Sequence, residues 1–158
     1  MRSGKVVKRI LPADPIYGSR LLTRFINRVM FDGKKTIAQN LVYKALNQIK
    51  EETKEDPLTV FERAIRNISP KMEVRSRRVG GASYQVPVEV RGDRREALAI
   101  RWIIAAADSK PNKEFHSFDK KLAAELMDAA NNGGGAAKKR DDIQKVAASN
   151  RAFAHFRW

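Results

Sequence analysis

The chain has 158 residues, of which 42% are hydrophobic, enough for one domain with its own core. Its 32 Lys and Arg against 18 Asp and Glu leave a net charge of +14, which points to a polyanionic partner. Cysteine is absent and the two histidines, His116 and His155, lie far apart, so disulfides, thiolate metal sites and a histidine metal pair are excluded and no cofactor is expected.

An anionic membrane surface is the rival partner for so basic a chain. No apolar run is long enough to span a bilayer and no charged-then-apolar leader with a cleavage site is present, so an intracellular, unprocessed protein without a membrane partner is expected. The first residues, "MRSGKVVKR", carry four cations and no acid, and the two prolines of "LPADP" keep the chain extended after them. Residues 1–17 are read as a basic arm with Lys8 and Arg9 at its heart.

In "SRLLTRFINRVMFDGKK" the residues Leu21, Leu22, Phe25, Ile26, Val29 and Met30 recur at helical spacing, while Arg20, Arg24 and Arg28 form a stripe on another face. Like charges at i,i+4 weaken a helix, so the stripe calls for phosphates or carboxylates against it. Gly33 ends the helix, and Lys34 and Lys35 then stand at the N-terminal end of the next, where an anion would compensate them.

A second helix over 35–53 is expected to bury Ile37, Leu41, Ala45 and Ile49, with Val42 and Leu46 beside them. A third starts from an Asp56 cap with Pro57 at its first position, turns Leu58, Phe61, Ile65 and Ile68 inward, and ends before Pro70.

The period then changes to two. Met72 and Val74 open a strand, Gly80 and Gly81 make a hairpin turn, and Tyr84, Val86, Val88 and Val90 alternate back, giving a projecting two-stranded ribbon over 72–91. Pro87 keeps this ribbon from joining a larger sheet. Arg75, Arg77 and Arg78 precede the turn, and Arg91, Arg94 and Arg95 follow the second strand.

Asp93 with Glu96 resembles a capping box opening a central fourth helix through Leu98, Ile100, Ile103 and Ile104, in which Arg101 is a candidate nucleic-acid contact and Trp102 either a core residue or a second contact. A fifth helix runs from Ser117 with Leu122, Leu126 and Ala129 inward and stops at "NNGGG"; a sixth leads to a basic, aromatic tail, residues 149–158. "GGG" lacks the Lys-Ser/Thr of a phosphate-cradling loop and is read as a helix stop.

No nucleophile with a base, carboxylate pair or phosphate loop can be assembled, so an enzyme is not expected. Arginine clustered beside Tyr84, Trp102, Phe153, Phe156 and Trp158 favours RNA with unpaired bases. The alternative is a basic DNA-binding regulator, although the arginine stripe lacks the Asn or Gln that reads base edges.

Three stretches together carry a family resemblance: "RFINRVMFDGKKTIAQNLVYKAL" (24–46), "RSRRVGGASYQVPVEVR" (75–91) and "NRAFAHFRW" (150–158). They resemble the small ribosomal subunit protein seven family of bacterial or organellar type. The resemblance implies a single, mainly α domain of about six helices, with a β-hairpin projecting between the third and fourth. It further implies binding to the 3′ major domain of small-subunit ribosomal RNA, nucleation of head assembly, and binding of the chain's own messenger RNA for autoregulation.

Carried onto this chain, the implied ribosomal RNA surface is Lys8, Arg9, Arg24, Arg28, Lys34, Lys35, Arg75, Arg77, Arg78, Arg91, Arg94 and Arg95, to which Arg101 and Trp102 are added from the residue reading. The hairpin tip (Val79, Gly80, Gly81, Ala82, Ser83, Tyr84) and the tail (Arg151, Phe153, His155, Phe156, Arg157, Trp158) are implied to lie near exit-site transfer RNA, the messenger RNA path and neighbouring head and platform proteins. The expected location is the ribosome of the cytoplasm, or of an organelle's stroma or matrix. No homo-oligomer is implied.

Overall fold

A computed structural model describes residues 10–156. Along them run α1 (Arg20–Val29), α2 (Lys35–Thr53), α3 (Pro57–Ile68), β1 (Met72–Val79), β2 (Ala82–Glu89), α4 (Gly92–Ser109), the single turn α5 (Asn112–Phe115), α6 (Phe118–Ala130), α7 (Gly134–Ser149) and a 3-10 helix, Arg151–Phe156. The architecture is mainly α, with one antiparallel hairpin between α3 and α4. No described helix is long and apolar enough to cross a membrane.

Local chemistry sets the boundaries. Ser19 caps α1 by accepting from Leu22 N (3.3 Å), and Asp56 caps α3 by accepting from Thr59 N (3.1 Å), with Pro57 in the first turn, where no helical amide is required. The expected capping box of α4 does not form: Arg91 occupies the cap, Asp93 lies in the first turn, and Glu96 reaches across to α1.

Two helices organise the core. α4 packs against α1, α3, α6 and α7, and α6 packs against α2, α3, α4 and α7. Leu22, Phe25 and Ile26 of α1 are fully buried, and Phe25 meets Phe61 of α3 edge-on at 5.2 Å between ring centroids. Each such side chain contributes about 1.5–3 kcal/mol by leaving water.

On α2 the buried stripe is Ala38, Val42, Ala45, Leu46 and Ile49. It is rotated by one residue from the expected one, so Leu41 is half-buried and Ile37 remains 55% exposed in the first turn. Trp102 goes to the core, 9% exposed beside Leu98, Ile143 and Val146. The inward face of α4 is wide enough to include it because α7 covers that side.

The hairpin turn is Gly80-Gly81, both at positive φ (57° and 91°), closing the two-residue loop that pairs Val79 with Ala82. Towards its base the ribbon is covered by α7, and β2 is flanked by the 3-10 helix. Pro87, opposite Val74, is buried there without interrupting a larger sheet.

"GGG" stops one helix, as expected, and also opens the next: Gly133 N donates to Asp128 O (2.7 Å) at the C-terminal end of α6. Asn131 caps α6 and Asn132 turns the chain at φ 60°, after which Gly133 is the N-cap of α7. Gly134, at φ 83°, lies so close to α6 that an added Cβ would stand 2.8 Å from Glu125 Oε1. That carboxylate is 1% exposed and accepts from Ala136 N at 2.9 Å, so α6 supplies the N-terminal cap of α7.

The arm joins the body through Asp14. Its Oδ2 accepts from Ile16 N (3.2 Å) and Tyr17 N (3.1 Å), while Oδ1 accepts from the Tyr43 hydroxyl of α2 at 2.7 Å. Burial, then this hydrogen bond and the Asp14 charge, push the Tyr43 pKa up to about 12. A raised phenol pKa favours the neutral form in the fold, so its contribution is complete below pH 10 and is lost as the pH rises from 10 towards 12. We therefore expect the thermal midpoint of the wild type to fall more steeply over that window than that of Tyr43→Phe; parallel curves would reject the anchor.

Candidate nucleic-acid interface

The arginine stripe of α1 is met by α4. Arg24, Arg28 and Arg101 line one notch of about 300 Å³, together with Asp93, Ala97 and Ile100. The helical repeat explains the pairing: Arg24 and Arg28 are one turn apart, and Arg101 lies on the α4 face that packs beside them.

Within this cluster Arg24 Nη1 donates to Glu96 Oε2 at 2.5 Å, which neutralises one member of the stripe and fixes its position. Both side chains are more than two-fifths exposed, so the pair adds little stability, on the order of 0–1 kcal/mol. Arg28 and Arg101 form no ion pair with a described residue and keep their forks available.

A second cluster joins hairpin and helix. Glu73 has a side chain only 9% exposed, and its two oxygens accept from different arginines: Oε1 from Arg75 Nε (2.6 Å) and Oε2 from Arg94 Nε (2.7 Å). One carboxylate thus clamps the base of β1 to the start of α4 and holds two half-exposed guanidiniums in place. Strand alternation puts Arg75 and Arg77 on the face of Glu73, with Arg78 on the other. Arg91, at the cap of α4, is exposed.

The sequence reading missed Glu73, and gave Glu96 to a helix cap instead of to Arg24. An isolated acid within an arginine-rich segment was the available signal, since such an acid orients its neighbours as well as balancing them.

Not every expected contact joins these clusters. Lys34 and Lys35 are exposed at the start of α2; Lys34 Nζ is 4.0 Å from Asp32, and Lys35 borders a separate depression beside Pro12 and Asp14. Arg95 turns inward, donating through Nη2 to Val90 O (3.3 Å), with its Nε buried and unpartnered. Trp102 is 9% exposed and lines a small depression with Glu73, Val74 and Leu98, so of its two expected places it takes the core rather than the exposed cationic surface. Lys8, Arg9, Arg157 and Trp158 lie outside the described residues.

The hairpin tip and tail do converge. Tyr84 packs in tilted contact against Phe153 (5.3 Å between ring centroids) and Phe156 (5.1 Å), and the His155 ring lies 4.0 Å from that of Phe156. Over its described residues 151–156 the expected tail is a 3-10 helix lying along β2, with Arg151 and His155 exposed on it. Val79, Gly80, Gly81, Ala82 and Ser83 continue beyond this contact to the tip, which is mostly exposed.

The family model described as ribosomal protein S7p/S5e matches residues 1–151. The small ribosomal subunit protein uS7 of Carboxydothermus hydrogenoformans is 55% identical over 157 residues, 99% of each chain. The protein of that name from Afipia carboxidovorans is 55% identical over 96% of this chain and 95% of its own, and that from Petrotoga mobilis is 53% identical over the whole of both. The chain therefore belongs to the ribosomal protein S7p/S5e family, structural, non-enzymatic proteins of the small ribosomal subunit.

Proposed function

We propose that the chain binds the 3′ major domain of small-subunit ribosomal RNA and nucleates assembly of the subunit head. The observation that carries this reading is the continuity of the cationic strip, in which Arg75 and Arg94 share one buried carboxylate and Arg24, Arg28 and Arg101 share one notch. Guanidiniums already held by carboxylates, those of Arg24, Arg75 and Arg94 on three elements, need little ordering when they meet phosphates. Recognition then rests on shape and phosphate position, as expected for structured RNA.

In the same reading the hairpin tip and the aromatic cluster of Tyr84, Phe153 and Phe156 lie beside exit-site transfer RNA and the messenger RNA path. Neighbouring head and platform proteins cover the faces around them, and the chain's own messenger RNA is a second ligand for the cationic strip. The location is the ribosome.

The test is a salt titration of binding to 3′ major domain RNA, with duplex DNA of equal length as competitor. The expected result is a preference for the RNA of about 10³ or more, the range that separates specific from non-specific sites. Equal competition would reduce the strip to non-specific positive charge and reject the reading.

A further inference from the structure

Next to the arginine notch lies a larger, apolar groove of about 450 Å³, within the size range of ligand sites. Val29, Met30 and Phe31 from the end of α1, Leu41 of α2, Ile104 of α4 and Phe118 of α6 form most of its lining. Arg28 and Arg101 border both cavities, so the groove is continuous with the cationic strip. Phe31 is 80% exposed at its edge.

The turn that presents Phe31 is well defined. Asp32 and Gly33 both have positive φ (51° and 72°), and Phe31 O accepts from Lys34 N at 2.9 Å. The turn fixes the backbone from which the exposed ring projects, so a stacking partner has only the side-chain rotamer to order.

On α4 the groove is bordered by Arg101, Ile104, Ala105 and Asp108, the i, i+3, i+4, i+7 positions of one face. The backbone positions of Arg101 and Asp108 are thus two turns apart, about 10 Å along the helix, with Ile104 and Ala105 between them.

We propose that this groove receives one unpaired nucleotide of the bound RNA, with its base stacked on Phe31 and its phosphate held by Arg28 and Arg101. The inference rests on the RNA-binding reading and adds a base contact to a surface otherwise made of phosphate contacts. Charge complementarity selects the occupant. A nucleotide joins an anionic phosphate to an apolar, stackable base, and the groove joins two unpaired arginines to an apolar floor with an exposed ring. Asp108 supplies an acceptor for the exocyclic amine of adenine, guanine or cytosine.

The experiment compares wild type, Phe31→Ala, Phe31→Leu and Phe31→Trp for binding to 3′ major domain RNA across a salt series. Because Phe31 is exposed, all four are expected to share one thermal midpoint. Phe31→Ala should weaken binding by about 5- to 150-fold, the contribution of one base–aromatic stack, with the salt slope unchanged because no phosphate contact is lost. Phe31→Leu, apolar but without a π face, should stay weak, and Phe31→Trp should regain affinity.

Wild-type binding by Phe31→Ala, full recovery by Phe31→Leu, or a changed salt slope would each overturn the proposal. So would a Phe31→Ala protein that binds naked RNA normally yet fails to enter small subunits reconstituted with the remaining proteins, an outcome that assigns the groove to a protein partner. Failure of the wild type to prefer RNA over duplex DNA is separately recognisable, and it removes the underlying reading along with the nucleotide site.

Discussion

Replacing Gly134 with Ala, or Glu125 with Ala, should each lower stability by about 3 kcal/mol, through two sides of one contact. Gly134 combines a backbone conformation that L side chains rarely adopt with a Cβ position 2.8 Å from Glu125 Oε1 and 3.0 Å from Asp128 Cβ. Neither neighbour can retreat, because the Glu125 carboxylate is buried and tied to Ala136 N at 2.9 Å and to Lys110 Nζ at 3.2 Å. Removing that carboxylate leaves the first turn of α7 without its side-chain cap and deprives Lys110 of one of two acids.

Burial works against the charge on Lys110, but the hydrogen bonds to Asp128 and Glu125 outweigh it and raise its pKa. Since Lys110 keeps Asp128 at 2.8 Å, Glu125→Ala should lie at the low end of the roughly 3–5 kcal/mol that breaking a buried pair costs. For a chain of this size the thermal midpoint should fall by roughly 6–12 °C in each single variant. The double variant should lose less than the sum, since the closest clash of Gly134→Ala goes with the carboxylate, while the approach to Asp128 Cβ and the positive φ remain. Strict additivity, or single-variant losses under about 1 kcal/mol, would show that α6 and α7 are not joined in this way.

The legibility of the sequence divides along local and non-local lines. Asp56-Pro57 and Gly80-Gly81 each define their structure within four residues, and both were readable because cap and turn chemistry act at that range. The third-helix core of Phe61, Ile65 and Ile68 was readable for the same reason.

Glu125 was hidden although it sits on the inward stripe with Leu122, Leu126 and Ala129. An acid at such a position calls for a buried partner, but nothing in the spacing says that the partner is the amide end of the following helix. "GGG" was legible as a helix stop through Gly133, but the role of Gly134 was not, because that glycine answers a side chain from another helix. Trp102 could not be placed because α4 is apolar on several sides, and only the position of α7 decides which side is interior.

For the interface, the arginines were readable as a composition of exposed cations, whereas their grouping was not. Arg24 and Arg101 are 77 positions apart and share a notch only because α1 packs on α4. Arg75 and Arg94 are brought together by Glu73, an acid that period-two reading passes over because Met72 and Val74 mark the strand.

The variant Arg75→Ala/Arg77→Ala/Arg78→Ala should reveal how much of the binding passes through the ribbon. Each phosphate contact removed takes about 0.9 from the slope of log affinity against log salt on a duplex, and about 0.7 on single strands. Three lost contacts should therefore flatten the slope by roughly 2–3, with the greatest loss of affinity at low salt. Arg75 has a further consequence that Arg78 lacks. Without Arg75 the buried Glu73 retains Arg94 alone, so the start of α4 remains tied to the strand while one oxygen loses its partner. Arg75→Ala alone should accordingly lower stability as well as affinity, whereas Arg78→Ala, which breaks no ion pair with a described residue, should lower affinity only. Glu73→Gln separates the two effects: it keeps every cation, so a slope equal to that of wild type with weaker binding would show that the carboxylate acts by holding Arg75 and Arg94 in position. A slope unchanged in the triple variant would remove the ribbon from the RNA surface and leave the α1–α4 notch to account for binding by itself.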